Sequence, residues 1–215
     1  MEATSVEQVR ATMAAIEHAF LVGVQGVTEV WLVRHGDCYE GIDVVEDPPL
    51  SPRGIDEARR LGERLRRIGF AAVYSSHYRR ALATARAISD EVTVDERLRE
   101  IDIAWQPGDG GAGSAPLSKY VEFGEPPEAV IGRMRDAVQE AVNAHPGGRV
   151  VIVSHGAAIL AYLTDVMRLE YGSLRLLPLY TSVSVVRVKE DRRMAHSIGD
   201  TSHLENALPG SSSGR

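Results

Sequence analysis

The sequence is poor in several features that would restrict its class. It has a single cysteine, Cys38, so no disulfide can form within the chain and we expect a reducing compartment. No long apolar run occurs near the N-terminus, because Glu17 and His18 interrupt residues 14–24. We therefore expect neither a signal peptide nor a membrane span, and the predicted location is cytoplasmic, without a membrane partner.

An excess of positive charge is also lacking. The formal net charge is −6, and the arginines are scattered among acidic residues instead of forming a basic stripe. Proteins that bind nucleic acids usually carry such a stripe. The charge pattern therefore predicts no nucleic-acid partner.

Strands and helices are predicted to alternate along the chain. Short apolar runs without alternation, at residues 30–33 and 150–153, are typical of strands covered on both faces. Further strands are predicted near residues 70–74, 92–94, 182–188 and 193–198. Helices are predicted over residues 52–68, 77–89 and 126–144 and after residue 156. This order predicts an α/β fold of three layers, α/β/α, with a mostly parallel central sheet.

Residues 1–26 precede the first strand and are predicted to form a helical extension. Their apolar residues recur at three- and four-residue spacing, which places them on one helix face: Val6, Val9, Met13, Ile16 and Phe20. We expect this helix to pack on the main domain, residues 27–206; a homodimer contact or a flap is the alternative. Residues 207–215 are rich in glycine and serine and are expected to be a disordered tail.

The segment 104–118 is rich in glycine and proline and is predicted to lack regular structure. A loop of this length inside a compact domain is more often functional than incidental. We therefore expect a functional loop, such as a lid.

Two tripeptides share one layout. Arg34-His35-Gly36 follows the first apolar strand, and Ser154-His155-Gly156 follows the most apolar one. Both histidines would lie at the carboxyl ends of parallel strands, where open α/β sheets bind ligands. A single histidine at a strand end is usually structural, but two at equivalent ends indicate a site.

Two kinds of chemistry use paired histidines. A metal site needs a third ligand at ligand spacing, such as His-x-His or a cysteine pair, and none occurs nearby, so we expect no metal and no cofactor. Phosphoryl transfer needs an attacking imidazole and cations around the phosphoryl oxygens. Arg79 and Arg80, after another strand end, supply such cations. Because a helix N-terminus disfavours cations, their place there suggests a bound phosphate.

Five blocks in this order resemble the histidine phosphatase superfamily, in its phosphoglycerate mutase-like branch. They are LVRHG at 32–36, PLSPRG at 49–54, YSS through RA and TA at 74–85, LRE at 98–100 and VSHG at 153–156. The resemblance runs from about residue 29 to residue 204. It implies a phosphoglycerate mutase-like fold, which agrees with the predicted three layers.

The resemblance also implies residue roles. His35 would be the nucleophile that becomes a phosphohistidine. Arg34, Arg80 and His155 would hold the phosphoryl oxygens and stabilise their charge in the transition state. Glu100 would protonate the leaving oxygen and then activate water, with Asp102 as the reserve acid.

The residues after His35 depart from the family pattern. Cys38 stands where a hydroxyl often helps to bind the substrate phosphate, and Gly41 stands where an asparagine is frequent. Cys38 is therefore a candidate substrate-binding residue, although a small buried thiol is its expected state. Gly156, which lets the backbone approach a ligand, is a second candidate.

These residues predict a metal-independent phosphatase acting on a small phosphate ester. A phosphoglycerate-type mutase needs a cover that keeps water out, usually a long insertion before the second histidine. Glu100 and His155 are separated by only 55 positions, which favours hydrolysis. A pseudo-phosphatase that binds a phosphate ligand is the non-enzyme alternative, suggested by Cys38 and Gly41.

Overall fold

The computed structural model describes residues 5–40, 47–105, 121–171, 173–174 and 176–207. The strands are Thr28–Arg34 (β1), Ala72–Ser75 (β2), Thr93–Val94 (β3), Ile103–Trp105 (β4), Val121–Phe123 (β5), Arg149–Ser154 (β6), Val183–Lys189 (β7) and Arg192–Asp200 (β8). The α-helices are Val6–Ala19 (α1), Pro52–Leu65 (α2), Arg79–Ile88 (α3), Pro127–Ala144 (α4) and Gly156–Val166 (α5). Short 3-10 helices occupy Glu96–Leu98 and Ser202–Ala207.

The central sheet has the strand order β3-β2-β6-β1-β7-β8 over the described residues. The first four strands run parallel to their neighbours, while β7 and β8 are antiparallel. The expectation of a mostly parallel sheet is confirmed, with an antiparallel edge. Because β1, β2 and β6 are parallel, their carboxyl ends, and the residues that follow them, meet at one edge.

Helices cover both faces of this sheet. Along β1, Val30 and Leu32 belong to the core formed with α4 and α5. Val33 belongs to a second core with α2 and α3, and the partly buried Trp31 packs against it. Successive strand side chains point to opposite faces, so a strand buried on both must be apolar throughout. This burial accounts for the unbroken apolar runs in β1 and β6.

Helix α2 begins where its sequence predicts. The Ser51 hydroxyl accepts a hydrogen bond from the Gly54 N–H at 3.0 Å, and Pro52 occupies the first turn. Ile55, in the first turn of α2, is 60% exposed although it is apolar. Gly54 faces the domain instead: a Cβ there would lie 2.0 Å from the Asp37 carbonyl oxygen. The first turn therefore packs backbone against backbone, and Ile55 points outward.

The expectation that α1 packs on the domain is wrong. None of its residues is buried, and its apolar residues are among the most exposed in the described chain. The helix is attached at its carboxyl end, where the Arg192 guanidinium donates to the carbonyl oxygens of His18 and Ala19 at 3.0 and 2.7 Å. Leu21, which follows it, is buried. The chain therefore joins the core only after the helix has ended.

The glycine-rich segment begins later than predicted. Residues 104 and 105 lie in β4, which pairs with β5 in a separate antiparallel sheet, and β5 was not predicted. The expectation of a functional loop falls on residues 106–118, outside the described residues, as do Gly41 and residues 208–215 of the predicted tail. Residue 207, the first of that predicted tail, lies in the last 3-10 helix. Within the described ranges, no helix is long and apolar enough to cross a membrane.

Candidate active site

His35 lies directly after β1 and is 3% exposed. Its backbone N–H donates to the Ser154 carbonyl oxygen at 3.0 Å, which fixes the end of β1 against β6. The ring Nδ1 lies 2.7 Å from the Gly36 carbonyl oxygen, which can only accept. Nδ1 therefore carries the proton and donates, so Nε2 of the neutral ring is unprotonated and carries a lone pair.

The surroundings of His35 keep its ring neutral. Burial lowers the pKa of His35 well below its ordinary value of 6.5, and the charges of Arg80 and Arg34 lower it further. The Gly36 carbonyl opposes the shift. The Arg80 Nε–H donates to His35 Nε2 at 3.3 Å. A guanidinium therefore lies beside the nitrogen that holds the lone pair.

Arg80 enters the site from the first turn of α3 and is 7% exposed. Its Nη1 lies 3.4 Å from Asp47 Oδ1, and its Cζ lies 4.6 Å from the centre of the Tyr78 ring. The Asp47 carboxylate also accepts from the Arg79 backbone N–H, both oxygens at 3.1 Å. The Asp47 carboxylate thus caps α3, a contact that the sequence interpretation missed. The Arg79 side chain, unlike that of Arg80, is exposed.

His155 is fully buried and lies against His35, with ring centroids 5.0 Å apart. Its Nε2 lies 2.9 Å from the Ser76 hydroxyl oxygen. Burial lowers the pKa of His155 well below its ordinary value, and the charges of Arg80 and Arg34 lower it further. Its buried Nδ1 has no hydrogen-bond partner among the residues described. Two neutral imidazoles therefore lie side by side with one polar ring nitrogen unused.

The Arg34 side chain is held by Pro178 and Tyr180. Its Nη1 donates to the Pro178 carbonyl oxygen at 2.7 Å, and its Cζ lies 4.0 Å from the Tyr180 ring centre. Its buried Nε has no partner within the described ranges. Gly156 packs directly against it, since a Cβ at that position would lie 3.3 Å from Nε. The structure thus places Gly156 against the guanidinium.

Glu100 lies at the amino end of α5. Its Oε1 accepts from the N–H groups of Ile101 and Ala158, both at 3.0 Å, and its Oε2 accepts from Ala157 N–H at 3.3 Å. It supplies the side-chain cap that the N-cap residue His155 does not provide. Burial raises the pKa of Glu100, and the three N–H donors partly offset this. The reserve acid, Asp102, is exposed.

The segment that carries Glu100 is bound by Arg133, a residue that the sequence interpretation missed. From α4, Nη1 of Arg133 donates to the carbonyl oxygens of Arg97 and Arg99 at 2.7 and 2.6 Å, and Nη2 donates to that of Glu100 at 3.1 Å. Arg133 also pairs with Glu125 at 2.6 Å, with the two side chains 9% and 10% exposed. The only sequence feature that could have indicated this role is the place of Arg133 beside the apolar positions of α4.

The turn after His35 is fixed by buried polar contacts. The Gly36 N–H donates to the Thr84 hydroxyl at 3.0 Å, and the Asp37 N–H donates to Glu57 Oε2 at 2.9 Å. The Ser51 hydroxyl donates to Asp37 Oδ2 at 2.5 Å. Cys38 is buried, as expected, and burial raises the pKa of its thiol. Cys38 is therefore a protonated thiol at neutral pH.

The predicted site residues meet at the carboxyl edge of the sheet. His35 contacts Arg80 and His155, Arg34 contacts Gly156, and Glu100 binds the first turn of the helix that Gly156 begins. Across the described part of the chain, no three His, Cys, Asp or Glu side chains are grouped as metal ligands would be. The arrangement offers a neutral nucleophilic nitrogen, two guanidinium groups and a partly buried carboxyl group.

Comparison with known proteins identifies related sequences and folds. The family described as histidine phosphatase superfamily (branch 1) matches residues 30–201. The protein named "Probable phosphoglycerate mutase GpmB" from Enterobacter sp. (strain 638) is 28% identical over 207 residues, covering 82% of this chain and 95% of that protein.

Solved structures give the same fold. YhfR of Bacillus stearothermophilus has a TM-score of 0.68 and 30% identity, covering 83% of this chain and 100% of that one. Phosphoserine phosphatase of Entamoeba histolytica, in complex with 3-phosphoglyceric acid, has a TM-score of 0.67 and 24% identity, covering 82% and 99%. The predicted phosphoglycerate mutase-like fold is confirmed.

Proposed function

Because the chain belongs to the histidine phosphatase superfamily, we propose that it hydrolyses a phosphate monoester through a phosphohistidine formed at His35, without a metal. The observation that carries this proposal is the state of the His35 ring. Its Nδ1 donates to Gly36 O, and its Nε2 lone pair lies 3.3 Å from Arg80 Nε. A neutral imidazole whose Nε2 is unprotonated is the form that can attack phosphorus.

In the first step, His35 Nε2 attacks the phosphorus atom and the ester P–O bond breaks. Arg80 and Arg34 bind the equatorial oxygens, whose charge the two guanidinium groups stabilise. His155 contributes a third contact through Nδ1, the buried ring nitrogen that lacks a partner in the described residues. The phosphoryl group is then attached to His35.

Glu100 handles the proton in both steps. In the first, its carboxyl group protonates the leaving oxygen, and the raised pKa that burial gives it favours the protonated form. In the second, the resulting carboxylate accepts a proton from water as the water oxygen attacks phosphorus. The P–N bond breaks, inorganic phosphate leaves, and His35 returns to its neutral state.

Hydrolysis, rather than transfer back to the substrate, is the main proposal. Relatives include a protein named as a mutase as well as a structure named as a phosphatase. The interval of 55 positions between Glu100 and His155 leaves little chain for the cover that a mutase needs. A phosphoglycerate-type mutase is therefore the alternative enzyme.

The first experiment measures phosphate release from p-nitrophenyl phosphate by the wild type, by His35→Ala and by His196→Ala. His196 is an exposed histidine of β8 and serves as the matched control. We expect the wild type and the control to be active with a chelator present, and His35→Ala to be inactive. Activity that survives in folded His35→Ala would contradict the proposed nucleophile.

A second experiment separates the alternatives. The protein is incubated with 3-phosphoglycerate, phosphoserine and a wider panel of phosphate monoesters, and both released phosphate and isomeric products are measured. Phosphate release supports the phosphatase. Formation of 2-phosphoglycerate without phosphate release would establish the mutase, and inactivity on the whole panel would favour a phosphate-binding pseudo-phosphatase.

A further inference from the structure

Helix α1 exposes an apolar stripe that nothing in the described chain covers. The five stripe residues are Val6, Val9, Met13 and Ile16 in the helix and Phe20 at its C-cap; they are 68%, 50%, 50%, 46% and 60% exposed. No residue of the helix is buried, so tertiary packing contributes little to its stability. Isolated helices shorter than about 12–15 residues are marginal in water. A 14-residue helix with an exposed apolar stripe and little packing therefore favours a partner surface.

The stripe has the spacing of a coiled-coil seam. Its residues recur in steps of three, four, three and four, which assigns Val6, Met13 and Phe20 to heptad positions a and Val9 and Ile16 to positions d. A seam of only a and d residues is narrower than the face with which a helix usually packs on a globular core. The pattern is therefore that of a helix that pairs with one other helix.

The flanking residues fit a second copy of this chain in one orientation. The e positions are Arg10 and Glu17, whereas the g positions, Ser5, Thr12 and Ala19, carry no charge. In a parallel pair e faces g of the other helix, which leaves both charges without a partner. In an antiparallel pair e faces e, so Arg10 meets the partner's Glu17, and the two-fold axis repeats this contact.

We propose that α1 pairs antiparallel with α1 of a second copy, forming a two-stranded coiled coil that makes the protein a homodimer. The register that joins Arg10 to the partner's Glu17 also places Met13 against the partner's Ile16. The same register places Val9 against the partner's Phe20, so every stripe residue except Val6 meets an apolar stripe residue of the partner. The contact is isologous, as closed two-fold dimers require.

The polar side of α1 disfavours a membrane as the partner. Helices that lie on membranes carry many lysines and arginines on their polar face. Here the only such residue is Arg10, against Glu7 and Glu17. The helix base is also bound to β8 through Arg192, whose guanidinium donates to two α1 carbonyl oxygens. The domain therefore presents α1 in a fixed position to a second copy.

The test is analytical ultracentrifugation of the full chain over a series of concentrations. We expect a monomer–dimer equilibrium whose dissociation constant rises at least tenfold in Met13→Glu. Ala11→Glu, at an f position away from the seam, is the matched control and is expected to leave the constant unchanged. Circular dichroism and phosphatase assays verify that each variant keeps its folded domain. A wild type that stays monomeric throughout the series would overturn the proposal.

Charge exchange tests the orientation. Arg10→Glu alone places two carboxylates opposite each other, at position 10 and at the partner's Glu17, and is expected to weaken the dimer. Arg10→Glu combined with Glu17→Arg is expected to restore it. If Arg10→Glu has no effect on a dimer that Met13→Glu dissociates, the antiparallel register is wrong. Co-sedimentation of a monomeric wild type with phosphatidylglycerol vesicles would identify a membrane as the partner instead.

Discussion

Replacing Gly156 by alanine is expected to lower catalytic efficiency while leaving the fold intact. The new Cβ would lie 3.3 Å from Arg34 Nε and 3.4 Å from Arg34 Cζ. Ordinary Cβ contacts begin at 3.4 Å, so one of the two groups must move by a few tenths of an ångström. The backbone of Gly156 begins α5, so the guanidinium is the group that moves.

The expected size of the effect follows from this displacement. A misplacement of about 1 Å in an active site can cost about 100-fold in rate, so a shift of about 0.3 Å corresponds to about fourfold. The Arg34 guanidinium cannot simply rotate away, because Nη1 is bound to Pro178 O and Cζ packs on the Tyr180 ring. We therefore expect kcat/KM to fall by about four- to tenfold.

The assay compares Gly156→Ala with Gly132→Ala. Gly132 lies inside α4, and a Cβ there would meet nothing within 4 Å. Alanine at that position should stabilise the protein by about 0.5–1 kcal/mol and leave kcat/KM unchanged. Steady-state kinetics and urea unfolding are measured for both variants. Unchanged kcat/KM in a folded Gly156→Ala protein would refute the reasoning, since Arg34 would then not contact the transferring group.

Two further predictions concern stability. Arg133→Met removes the shorter of the two ion pairs of Glu125, which keeps only Arg99 at 3.2 Å, together with three hydrogen bonds to carbonyl oxygens. It should cost about 2–3 kcal/mol by urea unfolding, whereas Arg135→Met, at an exposed ion pair on the same helix, should cost less than about 1 kcal/mol. If both variants lose the same stability, the assignment of Arg133 to the Glu100 segment is wrong. Burial and the charge of Arg64 lower the pKa of His203 from 6.5 to about 4. The folded state therefore binds fewer protons than the unfolded state between these values, so stability is full above about pH 6.5 and is lost as the pH falls toward about 4. Urea midpoints measured across this range should fall less steeply in His203→Asn, and an identical slope would contradict the assignment.

The family and the main site residues could be predicted from the sequence because they depend on local patterns. A short apolar run without alternation is typical of a strand covered on both faces, and a tripeptide directly after a parallel strand lies at the carboxyl edge of the sheet. The comparisons confirm the predicted family and fold. The roles of His35, Glu100 and His155 remain predictions, which the kinetic experiments test.

Other features depend on contacts between distant parts of the chain. The Arg133 side chain reaches three carbonyl groups more than 30 positions away, and Asp47 binds Arg80 across a similar interval. Spacing along one helix does not reveal such pairs. The sequence identified Arg80 as a cation near phosphate, but it did not reveal that the Asp47 carboxylate caps the helix that carries Arg80.

The sequence by itself determined the alternation of strands and helices and the convergence of His35 and His155, since periodicity and strand ends are local properties. Only the tertiary structure decided which apolar side chains of the helices are covered by other elements. Ile55 points to solvent because Gly54 packs there on backbone, and α1 projects with its stripe exposed. Periodicity shows that residues share a face, but burial depends on whether another element lies against that face, and only the packed chain determines this.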